Sequence, residues 1–175
     1  NLLMRKTIYL DHGATTPVDP VVFAAMTPFL TDRFGNASSI HATGREARAA
    51  VDEARDTIAS AVGASAAEIY FTSGGTEADN LAILGTARAT RAKGDHIVTC
   101  ATEHHAILES CEQLEEEGFR VTYLPVDSDG LIDPDDVAEA IDDRTVLVSI
   151  MHVNNEIGVI QPVSAIGRIA REKGV

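Results

Sequence analysis

Tryptophan is absent from this sequence, cysteine occurs twice, and aromatic residues together make up 5% of it. Cys100 and Cys111 form neither a disulfide framework nor a CxxC pair. Their settings, an apolar strand pattern and a helical one, predict ordinary reduced thiols packed inside. No apolar run approaches the roughly 18 residues of a membrane span. No charged-then-apolar leader precedes the first motif, so the expected location is the cytoplasm. Basic residues are scarce: 14 lysines and arginines stand against 27 acidic residues, a net charge of −13. That balance excludes nucleic acid or an anionic membrane as the main partner, because like charge repels both. The excess acid at Glu115-Glu116-Glu117 and from Asp133 to Asp143 reads as a solvated face. Metal-ligand spacing is missing too. His104 and His105 are neighbours that point apart, with no supporting Cys, His or Asp pattern for zinc. Asp127-Ser128-Asp129-Gly130 lacks the downstream glutamate of a calcium loop and reads as a turn. No metal is expected.

What is present is an alternation of strand and helix. Arg5 to Leu10 reads as a short strand running into the loop Asp11 to Pro17, and Asp19-Pro20 as an N-cap and first helical residue, with a helix to about Asp32. Phe34 to Ser39 is a loop of turn formers. Ala47, Ala50, Val51, Ala54, Ile58, Ala61 and Val62 recur at helical spacing, closed by Gly63. Strands then follow at 68–72, 96–101, 120–126 and 145–153, separated by helices over about 76–92, about 105–117 and from Asp133-Pro134. Asn154 to Pro162 is a loop, and Ser164 is expected to cap a last helix ending at Lys173-Gly174. The apolar run Val146 to Val153 predicts a strand covered on both faces. The order predicts an α/β fold, a mainly parallel (mixed) sheet flanked by helices. The chain stops where a further strand is expected, so the sheet is expected to be incomplete, the front part of a larger protein.

The segment Glu68 to Asn80 carries the first chemistry. A β-type run breaks at Ser73-Gly74-Gly75, and Thr76-Glu77 opens a helix. A helix N-terminus after a glycine turn presents free N–H groups and a positive dipole end to an anion, with Ser73 and Thr76 adding hydroxyl donors. The lysine and spacing of a P-loop are missing, and no G-x-G-x-x-G follows a strand. Taken alone, a phosphate cradle and a plain strand-to-helix turn fit this segment equally well. Two more polar clusters follow expected strand ends, Thr102-Glu103-His104-His105 and Asn154-Asn155-Glu156. Ligands of parallel sheets sit beyond the carboxyl ends of strands, so the three clusters are expected to converge on one crevice. A lone histidine there is ordinarily a surface or helix-capping residue.

Five ordered motifs carry a resemblance across nearly the whole chain. They are Tyr9 to Pro17 (YLDHGATTP), Phe34 to His41 (FGNASSIH), Thr72 to Asn80 (TSGGTEADN), Thr102-Glu103-His104 and Met151 to Gly158 (MHVNNEIG). Together they resemble the NifS/IscS-type cysteine desulfurases, pyridoxal 5'-phosphate (PLP) enzymes of the class V aminotransferase group. The resemblance implies the large domain of PLP-transferase fold type I, and sulfur taken from L-cysteine to leave L-alanine and an enzyme persulfide. That sulfur would supply iron–sulfur clusters or tRNA thiolation. Gly75 and Thr76 would hold the PLP phosphate, and His104 would stack on the pyridine ring and move protons. Asn155 would reach the cofactor near the substrate amine, and Ala14 and Thr15 would border the substrate pocket. Gly13 and Gly75 stand where the family commonly has alanine, which leaves the backbone route to the ligand open.

By the same resemblance, residues 1–15 belong with a small domain and 16–175 form part of the PLP-binding large domain. The partners are L-cysteine, a second copy in a homodimer, and an iron–sulfur scaffold or other sulfur acceptor. The family's Schiff-base lysine, its acidic partner for the pyridinium nitrogen and its persulfide cysteine have no counterpart here. Lys6, Lys93 and Lys173 are the only lysines, and none matches. The isolated chain is therefore expected to be inactive. Two alternatives stay open: another class V PLP enzyme (a selenocysteine lyase or an aminotransferase), and a non-catalytic split or decayed half.

Overall fold

Asp19 starts the first helix, α1 (Pro20–Leu30), by accepting from the Val21 and Val22 N–H groups at 2.8 and 3.4 Å. The computed structural model describes residues 8–175. It divides into two units, the first ending at Phe71 and the second spanning Thr72–Val175. The expected strand Arg5 to Leu10 lies partly outside the described residues, and residues 8–10 form no strand.

In the first unit α1 is followed by the long helix α2 (Ala42–Val62), capped by His41 and closed by Gly63 in the left-handed region at φ +70°. Gly44 lies against the Phe34 to Ser39 loop: a Cβ there would stand 2.6 Å from Ser39 Cβ, so only a hydrogen fits. Only part of the apolar stripe of α2 is buried. Ala47 and Ala59 are inside, while Val51, Ile58 and Val62 are exposed. The expected strand 68–72 does not form. Residues 66–68 make a 3₁₀ turn, and the Ile69 N–H donates to Ala66 while its carbonyl accepts from Arg55. The β-type side chains set an extended backbone at Ile69, but no strand among the described residues pairs with it. Local propensity does not supply a ladder partner.

The second unit holds the sheet. Helix α3 (Gly75–Thr90) leads to β1 (His96–Cys100), α4 (His105–Glu116), β2 (Arg120–Leu124), α5 (Pro134–Ala140), β3 (Thr145–Ser149) and α6 (Val163–Glu172). The strands lie in the order β2-β1-β3 and every pair is parallel. The only antiparallel pairing among the described residues is an isolated bridge, Val153 to Ile160.

Alternation along β1 sends Ile97 to one face and Val98 and Cys100 to the other. Ile97 packs with Ile83, Ala87, Ile107, Cys111 and Leu114 of α3 and α4. Val98 and Cys100 pack with Leu124, Val137, Ile141 and Ile166, so α5 and α6 cover the second face. β1 is buried along its whole length, and β3 is covered on both faces as its apolar run predicts, with Leu147 against the first cluster and Val148 against the second. Complete burial falls to β1 because it is the central strand, and its polar residues are satisfied in place. His96, fully buried, bonds Thr145 Oγ1 at 2.7 Å and Thr122 Oγ1 at 2.8 Å, one hydroxyl from each neighbouring strand. β3 ends at Ser149, four residues before the expected end, and α6 starts at Val163 with no side-chain cap from Ser164.

Candidate active site

Past Cys100 and Ser149 the chain leaves the sheet at the same edge. There Thr102, Glu103, His104, His105 and Leu108 face Asn154, Asn155, Glu156 and Ile157 across a cleft of about 370 Å³. Three side-chain bonds hold its two walls. Asn154 Nδ2 donates to the Thr102 carbonyl at 3.0 Å, and Thr99 Oγ1 donates to the Ser149 carbonyl at 3.0 Å. Glu103 Oε1 accepts the Met151 N–H at 2.5 Å. Asn154 Oδ1 also accepts from the Glu156 and Ile157 N–H groups, at 2.9 and 3.0 Å, and so shapes the turn that carries Asn155.

His104 has the capping role as well as the place in the cleft. Its Nδ1 accepts the Ala106 N–H at 3.1 Å and starts α4. A neutral ring in that bond carries its proton on Nε2. Glu103 is only 8% exposed. Burial is the main cause that raises its carboxyl above the ordinary range, and the charge of Asp79 adds to this, against the lowering effect of the Met151 N–H.

Helix α3 precedes β1 and packs along α4, so its first turn lies at the sheet edge that carries the cleft. Asp79, one turn in, stands close enough to act on Glu103. No side chain caps Gly74, and a Cβ added at Gly74 or Gly75 would meet nothing within 4 Å. The opening N–H groups and the exposed Thr76 therefore face open space, a donor set that suits a phosphate. Ser73 is not part of that set. Its N–H and hydroxyl donate to Glu77 Oε2 at 2.7 and 2.5 Å, and this holds the Glu77 carboxyl below its usual range, the hydroxyl contributing most. Gly75 and Thr76 do not line the cleft itself. Ala14 and Thr15 belong to the first unit, where their N–H groups donate to the Asp11 carbonyl at 3.2 and 3.4 Å.

Sequence reasoning assigned no role to Asn154 or Glu103, although both lie inside the quoted motifs. An acid next to the candidate histidine was the available signal. The cysteines are buried as expected. Burial, and then the charges of Glu115, Glu103 and Glu112, push the Cys111 thiol up to about 11. Lys93 lies in the turn leading into β1, and Lys173 Nζ donates to the Ile141 carbonyl just before β3. Both stand at the opposite edge of the sheet from the cleft. Among the described residues no group of side chains is arranged to hold a metal ion.

A family model described as aminotransferase class-V matches residues 8–175. The chain belongs to the class-V aminotransferase family. Members of this family are PLP enzymes, and the open, uncapped turn at Gly75 fits the phosphate of that cofactor. The class-V chain is 55% identical over 169 residues to a cysteine desulfurase IscS of Dictyoglomus turgidum, covering 97% of itself and 43% of that relative. It is 54% identical to the cysteine desulfurase IscS of Methanosarcina thermophila, covering 98% of itself and 42% of the relative. Among solved structures, a NifS-like protein superposes with a TM-score of 0.91 at 40% identity, over 95% of this chain and 46% of that one. SspA in complex with cysteine superposes with a TM-score of 0.91 at 42% identity, over 97% of this chain and 49% of that one. The chain thus spans less than half the length of the relatives it matches.

Proposed function

We propose that the protein carrying these residues is a PLP-dependent cysteine desulfurase, which converts L-cysteine to L-alanine and passes the sulfur to an enzyme cysteine as a persulfide. The observation that carries this reading is the shared sheet edge of Thr72 to Asn80, Thr102-Glu103-His104 and Met151 to Gly158, in a chain 54–55% identical to relatives named for that activity. In this reading the Gly75 and Thr76 N–H groups and the Thr76 hydroxyl bind the cofactor phosphate. His104, on one wall of the cleft, would stack on the cofactor ring. Its Nδ1 is engaged by the Ala106 N–H, so Nε2 is the atom at which it holds and exchanges a proton. Asn155 presents its amide to the reacting end of the cleft, and Ala14 and Thr15 border the substrate. Bound there, PLP supplies an electron sink for bond breaking on the substrate.

Neither Cys100 nor Cys111 is the sulfur acceptor, since both thiols are buried and Cys111 is held protonated at neutral pH. The acceptor cysteine and the cofactor-tethering lysine belong to parts of the protein beyond these residues. Residues 1–15 join a small domain and 16–175 the PLP-binding large domain. The protein acts as a homodimer in the cytoplasm and delivers sulfur to an iron–sulfur scaffold or a related acceptor. The exposed Val21, Val22 and Phe23 of α1 support association. No helix among the described residues is long and apolar enough to cross a membrane. The test is a turnover comparison on the full-length protein with L-cysteine, L-selenocysteine, and an amino acid paired with a 2-oxo acid. Alanine formed chiefly from L-cysteine is expected. Preference for selenocysteine, or amino transfer without alanine from cysteine, overturns the assignment in favour of another class-V chemistry.

A further inference from the structure

The Glu103 carboxylate has no assigned part in binding or reaction, yet it is buried beside the cleft and bonds across from one wall to the other. It is 8% exposed, stands shortly past the end of β1, and accepts from the backbone of Met151, shortly past the end of β3. The residue after it, His104, stands on one wall of the cleft, and Asn155 stands on the other. We propose that Glu103 is a positioning residue: its buried carboxylate is a strut of fixed length that sets the spacing between the His104 wall and the Asn155 wall.

A backbone N–H is a donor that no substitution at residue 151 short of proline removes, so the strut depends on Glu103 alone. The wall-to-wall bond from Asn154 to the Thr102 carbonyl at 3.0 Å acts beside it. Two bonds, from the adjacent Thr102 and Glu103 to Asn154 and Met151, fix an angle as well as a distance. Burying a carboxylate for this is costly unless its acceptor capacity is used. The burial that raises the Glu103 carboxyl supports the same point. Its length is the property that matters. Glutamine keeps an oxygen at the same reach and loses the charge, whereas aspartate keeps the charge and falls short by one methylene.

The inference rests on the desulfurase reading only for its cofactor readout. In the full-length protein, hydrogen exchange at residues 150–157 is compared in wild type, Glu103→Gln, Glu103→Asp and Glu103→Ala, alongside PLP affinity and the absorbance maximum of bound cofactor. The strut predicts that E103Q stays near wild type in all three. E103D and E103A are expected to exchange faster at 150–157, to shift the absorbance maximum, and to bind PLP about tenfold more weakly. A shifted maximum per bound cofactor separates mispositioning from a lower folded fraction. An E103Q protein as impaired as E103A, or an E103D protein like wild type, overturns the proposal in favour of a charge effect. If wild type binds no PLP, the functional reading fails, and the exchange data alone decide the strut: unchanged exchange in E103D and E103A overturns it.

Discussion

His96 shows how one residue reconciles polarity with complete burial. Both ring nitrogens meet threonine hydroxyls, one on each flanking strand, and Asp142 Oδ1 lies 3.6 Å from Nδ1. Burial is the main cause that lowers its pKa below the ordinary histidine value, with the charge of Arg120 next, while Asp142 and Asp95 oppose the shift. The folded chain therefore holds His96 neutral where the unfolded chain begins to take up a proton, below about pH 6.5. Stability from this site is present above that pH and is lost as pH falls toward the lowered folded value. Urea midpoints measured between pH 7.5 and pH 5 should fall for wild type, and His96→Gln should fall less steeply from a lower starting midpoint. Equal slopes would show that His96 contributes no linkage.

At the scale of elements, short caps and one central strand decide the arrangement. Asp133 Oδ1 accepts the Asp135 N–H at 2.9 Å and opens the short helix α5, whose Val137 is buried against the sheet. Asp133→Ala should lower stability by about 1 kcal/mol, measured by urea denaturation. Surface pairs such as Arg144–Asp95 and Arg120–Asp142 are exposed on their basic partners and add little.

Much of this level was legible in the sequence. Asp19-Pro20, Asp133-Pro134 and Gly63 marked helix ends because caps act through their immediate neighbours, and the alternating order gave the parallel sheet. Most of the misses depended on partners not adjacent in sequence. Strand 68–72 needed a ladder neighbour that the described residues do not provide. Strand 145–153 is covered on both faces as its apolar run predicts, but it stops at Ser149, past which the chain turns toward the cleft. Ser73 looked like a ligand donor until Glu77, four residues on, was seen to occupy it. Glu103 and Asn154 went unassigned because their work is done across the sheet edge, by bonds between residues about fifty positions apart in sequence.

For the whole molecule, the proposed reading gives the class-V residues present here a phosphate cup at Gly75 and Thr76, a cofactor-stacking role at His104 and a substrate-side amide at Asn155. They do not account for tethering the cofactor or for carrying sulfur, because both described lysines stand at the far edge and both cysteines are buried. The isolated 175-residue chain should accordingly release no alanine from L-cysteine, assayed with added PLP. Alanine production by it would mean that a group on this chain performs those tasks. The most direct measurement of the central claim compares PLP with pyridoxal, the same ring without the phosphate, in equilibrium binding to the full-length protein. A phosphate cup at Gly75 and Thr76 predicts that pyridoxal binds about a hundredfold more weakly than PLP, and that Thr76→Val narrows the gap. Equal affinity for the two would contradict the account.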